Sequence, residues 1–142
     1  MSLVSEIIVR LKDGQTVFQT VAGAVEFSVI EKNRLASPGA YVMSAEEGSS
    51  PNERLNGKVL QRLETDIAVL IVVDNLSGTL GSAAGDELED LKSFVRSRLL
   101  GFVPASGVEP ITHVSGEIVK ASGGTVWFED RFSAPSYLEQ SS

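Results

Sequence analysis

Val59-Leu60-Gln61-Arg62-Leu63-Glu64-Thr65-Asp66-Ile67-Ala68-Val69-Leu70-Ile71-Val72-Val73 changes character halfway along. Its first half alternates, with Arg62, Glu64 and Asp66 on the side facing water. From Ile67 onward both sides are apolar. Side chains of a strand point alternately to opposite faces, so a run that is apolar on both sides belongs beneath other layers. The stretch predicts one long strand that begins solvated on one side and ends as the centre of a sheet covered by a helix. Asp74-Asn75 and the glycines Gly78 and Gly81 end it.

Helical patterns flank this strand. Leu3, Val4, Ile7, Ile8 and Leu11 recur at helical spacing and predict a helix over 3–12. Ser2 caps its start, Glu6 and Arg10 stand four apart on the wet face, and Asp13-Gly14 stops it. A second helix is expected over Ala83-Ala84 and 86–101, with Leu88, Leu91, Phe94/Val95 and Leu99 on one face and Glu89, Lys92 and Arg96 on another. Asp86 with Glu89 resembles a capping box, with a start nearer Ser82 as the alternative, and Pro104 keeps the helix from continuing. Between these, 15–31 is ambiguous. A short turn or strand followed by a helical turn around 22–31 is the reading adopted. Pro38-Gly39 marks a turn before a compact strand over 40–44. The composition of 45–56 offers almost no apolar side chain to bury, and a mobile loop is expected there.

The C-terminal part reads as a β-hairpin. Ile111 to Val119 forms one strand, a reversal spans 120–124, and Thr125-Val126-Trp127-Phe128-Glu129-Asp130-Arg131-Phe132 returns. This last segment holds the chain's single Trp and two of its six Phe. In a regular strand Val126, Phe128 and Asp130 share one side and Thr125, Trp127, Glu129 and Arg131 the other, so neither face is purely apolar. Arg131 is expected to pair with an acid, either nearby or across an interface. The polar tail over 133–142 is expected to fray. The fold class that results is α+β: a single domain over 1–142, with an antiparallel or mixed sheet packed against two main helices and closed by a C-terminal β-hairpin.

The composition bounds the chemistry. A chain of 142 residues with 42% hydrophobic residues is long enough to build one core. It has no cysteine, which excludes disulfides and thiolate catalysis and removes the usual ligand of structural zinc. Nineteen acids against twelve bases leave a net charge of −7, unfavourable for non-specific binding to phosphates. The first residues lack the pattern of a signal peptide, and no apolar run approaches the length of a membrane helix. A protein that is soluble, not exported and without a role at the membrane is expected.

No residue set reads as a catalytic centre. His113 is the only histidine, and a histidine satisfying a hydrogen bond on a strand fits better than a metal ligand. Ser115 and Ser49-Ser50 lack a paired base. Gly78 and Gly81 lack the lysine of a phosphate loop. The carboxylate pairs Glu46-Glu47, Asp86-Glu87 and Glu89-Asp90 suit a solvated loop and a helix start. No catalytic residue, cofactor site or metal site is assigned. The aromatic hairpin is left with two readings, core alone or a contribution to a subunit interface, where Trp and Arg are enriched.

Several segments together resemble a known family. Pro38-Gly39-Ala40-Tyr41-Val42 stands before a polar loop, and the long strand ends in Val69 to Asn75. The second helix runs into Leu99-Leu100-Gly101-Phe102-Val103-Pro104. The chain closes on Gly124-x-x-Trp127-Phe128-x-Asp130-Arg131-Phe132. This pattern, spread over most of 3–132, resembles the phage tail terminator-like proteins, also described as minor tail or tail-completion proteins of tailed bacteriophages and prophages. The resemblance implies a small α+β domain and a structural, non-enzymatic role in virion assembly. It further implies a homo-oligomer closing into a ring, commonly hexameric. Such a ring caps the finished tail tube, stops its polymerisation and presents a surface for head joining. Partners implied are tail-tube and head-joining proteins, with no sequence-specific nucleic-acid binding. The implied locations are the host cytoplasm during assembly and then the virion tail. Interface candidates are Trp127, Phe128, Asp130, Arg131, Glu46, Glu47, Arg62 and Glu64. Two other classes stay open at this point: a small-molecule binding module or enzyme with a pocket between sheet and helix using His113, and an adaptor for a heterologous protein.

Overall fold

The computed structural model describes residues 1–23, 37–74 and 82–141. Helix α1 spans Leu3–Lys12, strand β1 Thr20–Gly23, β2 Gly39–Ser49 and β3 Leu60–Asp74. Helix α2 spans Ser82–Leu99, β4 Thr112–Ser122 and β5 Thr125–Glu139. The five strands form one sheet in the order β1-β2-β3-β5-β4. β1 runs parallel to β2, and the other pairs are antiparallel, so the sheet is mixed.

β3 is the central strand, and its two halves behave as their residues dictate. Ile67, Val69, Ile71 and Val73 join one core with Ile7 and Leu11 of α1 and Leu91, Val95 and Leu99 of α2. Leu70 and Val72 point the other way, to a second cluster with Tyr41, against which Ala22, Met43 and Trp127 pack. The run from Ile67 to Val73 is thus buried on both faces, while Glu64 before it is exposed. The layer between sheet and helices, where a ligand pocket was one reading, is filled by these side chains together with Phe128 and Phe132. Burying each such ring stabilises the fold by about 1.5–3 kcal/mol.

Both helices follow their apolar stripes. The Ser2 hydroxyl caps α1 by accepting from the Ser5 N–H at 3.2 Å, and Asp13 closes it through its N–H to the Val9 carbonyl at 2.9 Å. α2 begins at Ser82, so Asp86 and Glu89 lie inside the helix and form no capping box. The Glu6–Arg10 pair does not form. Glu6 instead reaches the loop after α2, where its carboxylate accepts from the Ala105 N–H at 2.7 Å and from the Ser106 hydroxyl and N–H.

Three boundaries differ from the expectation. β2 continues to Ser49, so 45–49 is strand, and only the connection after it is a loop. That connection is ordered around Asn52, whose Oδ1 accepts from the N–H groups of Arg54 and Leu60 at 3.2 and 3.0 Å. β5 likewise continues to Glu139, pairing from Asp74↔Thr125 to Leu60↔Glu139, so 133–139 does not fray. The physical reason is shared. A fifteen-residue β3 offers backbone partners along its whole length, and ladder hydrogen bonds hold polar segments that burial alone would not. The hairpin turn is also tighter than 120–124. Ser122 pairs with Thr125, leaving Gly123 and Gly124 with φ of 60° and 81°, the two positive values a type I′ turn needs. The helical turn expected around 22–31 lies outside the described residues apart from its first two positions, where β1 ends. Gly78 and Gly81 lie outside them as well.

Candidate functional site

β5 sorts the C-terminal charges between two faces. On the helix side, Phe128 and Phe132 enter the core with Asp130 between them. Asp130 is 0% exposed. A carboxylate in such a place needs a counter-charge and filled lone pairs, and two elements supply them. Arg96 of α2 donates from Nε to Oδ2 and from Nη2 to Oδ1, both at 3.0 Å. His113 of β4 places Nε2 at 2.7 Å from Oδ1. The hydrogen bond with Asp130 raises the Arg96 pKa. The His113 ring meets Phe132 edge-on at 5.3 Å, and Lys92, one turn before Arg96, covers the Phe128 ring at 4.6 Å.

Gly116 makes room for this cluster. It pairs with Asp130 across the β4–β5 ladder. A Cβ there would lie 2.8 Å from Phe128 Cζ, 3.0 Å from Asp130 Oδ1 and 3.2 Å from Arg96 Nη2. Asp130 and Phe128, named as interface candidates from sequence, are therefore committed inside the subunit. Their strand position puts them on the helix side of the sheet.

The opposite face carries the remaining candidates. Trp127 packs against the Tyr41 cluster, its ring capped by Lys120 at 4.9 Å, with the indole N–H buried and without a hydrogen-bond partner among the described residues. Arg131 donates from Nε to Glu129 at 2.5 Å and stands 3.9 Å from both Glu46 and Asp66. The bond to Glu129 is the main cause of its raised pKa. Glu129 sits opposite Glu117 in the ladder, a like-charged pair that Arg131 offsets. Arg62 forks onto the Glu109 carboxylate and lies 3.6 Å from Glu64. Glu46, Glu47, Glu64 and Asp66 line an acidic hollow with Gly48, Ser49 and Ser50, and Glu47 accepts from the Thr65 hydroxyl at 3.3 Å.

The structure thus brings Glu46, Glu64 and Arg131 to one surface, with Arg62 at its edge, separates them from Phe128 and Asp130, and turns Glu47 to the helix side with Thr65. Sequence reading left Arg96 on the wet side of its helix and did not join it to His113 and Asp130. A signal existed: alternation puts Asp130 on the same side as Val126 and Phe128, and a lone acid on an apolar face demands a cation. Among the described residues, no group of three or more His, Cys, Asp or Glu is arranged to hold a metal ion.

The model of the phage tail terminator protein family matches residues 2–141. The chain belongs to the phage tail terminator family. A chain from the virion of a native gene transfer agent particle shares the fold, with a TM-score of 0.64 over 96% of each chain at 14% identity. No curated protein matches the sequence. The protein is a structural phage tail protein with a place in the virion tail.

Proposed function

We propose that this terminator self-assembles into a ring, in the host cytoplasm, that caps the finished tail tube and offers its outer surface to head-joining proteins. The observation that carries the reading is the family match across nearly the whole chain, 2–141. The surface supports it. The face of the sheet away from the helices presents Arg131, Glu46, Arg62 and Glu64 beside the half-buried Trp127, a polar, charged surface suited to contacts that form late and specifically. Phe128 and Asp130 serve that surface from within by fixing β5 against α2.

Subunit mass by light scattering over a concentration series, with and without purified tail tubes, tests the proposal. A discrete oligomer of several subunits, binding one end of the tube and blocking further tube growth, is expected. A chain that stays monomeric at high concentration and ignores tube ends refutes it.

A further inference from the structure

Two arginines stand out because no acid among the described residues pairs with them. Arg10 of α1 donates its Nε to the backbone carbonyl of Arg98 at 2.9 Å, and its guanidinium lies over the Phe102 ring at 4.6 Å. Arg98, in the last turn of α2, lies over Phe94 at 5.0 Å, with its Nη2 beside Gly14. Neither forms an ion pair among the described residues. The carboxylate expected to pair with Arg10, Glu6, is taken up by Ala105 and Ser106. Two guanidinium groups are thus held on aromatic faces, near the C-terminal ends of both helices where cations are favoured, with donor edges left for a carboxylate. Leu100 and Val103, on either side of Phe102 in the chain, are about half exposed at 47% and 49%. Arginine beside exposed apolar groups is the composition of a contact surface.

The same chain carries the complementary surface. Glu64 and Asp66 leave β3 on the even positions, the face opposite α1 and α2, and Glu46 pairs with Asp66 in the ladder. With Glu47 they form the acidic hollow, in which Arg131 is the cation near Glu46 and Asp66. One surface belongs to the helix layer and the other to the charged outer half of the sheet's opposite face. A surface that fits another surface of the same molecule makes a heterologous, head-to-tail contact, and repeated contacts of that kind close into a ring when the rotation between copies closes and extend as a filament when it does not.

We propose that Arg10 and Arg98 of one copy dock into the acidic hollow of the next, with Glu46 and Glu64 as the receiving carboxylates. The proposal rests on the ring reading and names the joint of that ring. It makes the contact salt-sensitive, because partly exposed charge pairs are screened as ionic strength rises.

A charge-swap experiment on the full chain tests it. One variant carries Arg10→Glu and Arg98→Glu, and the other Glu46→Arg and Glu64→Arg. Each alone is expected to lose self-association by about tenfold to a hundredfold in light scattering, because like charges then face each other. Mixed in equal amounts, the two are expected to regain an oligomer of even subunit number, since every joint is again complementary. The milder Arg10→Gln and Arg98→Gln single variants, which keep side-chain bulk over Phe102 and Phe94, should show smaller losses with unchanged circular dichroism. If both charge-reversed variants assemble as the unaltered chain does, or their mixture stays dissociated, the joint lies elsewhere and the ring reading stands. If the unaltered chain itself never assembles, the ring reading falls and this joint with it.

Discussion

Arg96→Met isolates the buried charge cluster. The substitution keeps an apolar stem of similar reach on α2 but removes both 3.0 Å hydrogen bonds to Asp130, leaving a carboxylate that is 0% exposed with His113 alone. Breaking a buried pair from one side costs about 3–5 kcal/mol, because the other charge is stranded. Arg96 is 33% exposed on its side chain and His113 remains, so the lower end applies, about 3 kcal/mol. For a chain of this size that is a fall in Tm of roughly 10 °C. Urea denaturation at fixed protein concentration should show an earlier midpoint with an unchanged slope. The companion variant is Arg96→Met with Asp130→Leu. Replacing both charges by apolar groups removes the stranded carboxylate, and at least half of the lost stability should return. A single-variant loss below about 1 kcal/mol, or a double variant whose losses simply add, would refute the claim that this pair is a buried, mutually dependent unit.

Gly116→Ala should destabilise by about 1–3 kcal/mol, since its Cβ falls within 2.8 Å of Phe128, and the loss should shrink in the Arg96→Met background where Nη2 is gone; paired thermal melts measure both. Glu6→Gln addresses pH. The Ser106 hydroxyl bond is the main cause holding the Glu6 pKa below its ordinary 4.5, so its contribution is present above that value and is lost as pH falls through the lowered one. The stability difference between the unaltered chain and Glu6→Gln should therefore narrow on titration from neutral pH to about pH 3, as melts across that range would show. Gly124→Ala places a side chain at φ 81° and should cost about 1–2 kcal/mol while speeding amide exchange in β4 and β5 before the rest of the sheet.

The parts of the fold that were legible are those where burial decides. The two-sided apolar run from Ile67 to Val73 announced a central strand, and the stripe of Leu3, Ile7 and Leu11 announced α1 with its Ser2 cap. The parts missed are those where a neighbour decides. Ala45-Glu46-Glu47-Gly48-Ser49 and Ser133 to Glu139 carry little apolar weight, yet both lie in strands because β3 offers hydrogen bonds along its length. Charges followed the same rule. That Trp127 and Phe128 part to opposite faces was readable from the period of a strand. Which cation meets Asp130, and which cation Glu6 declines to serve, depends on α2 and the loop behind it arriving from distant sequence.

The pairing of β3 with β5 runs unbroken from Asp74↔Thr125 to Leu60↔Glu139, through the helix-covered half and out along the charged half. This gives the subunit a mechanical property. The ladder's hydrogen bonds lie across the strands, so a pull along β3 or β5 loads them in shear, many at once, and does not peel them one by one. The outer half has no hinge of its own; displaced, it carries the strand that holds Phe128, Asp130 and Phe132 with it. A load on the charged end of such a ribbon passes into the subunit's own core.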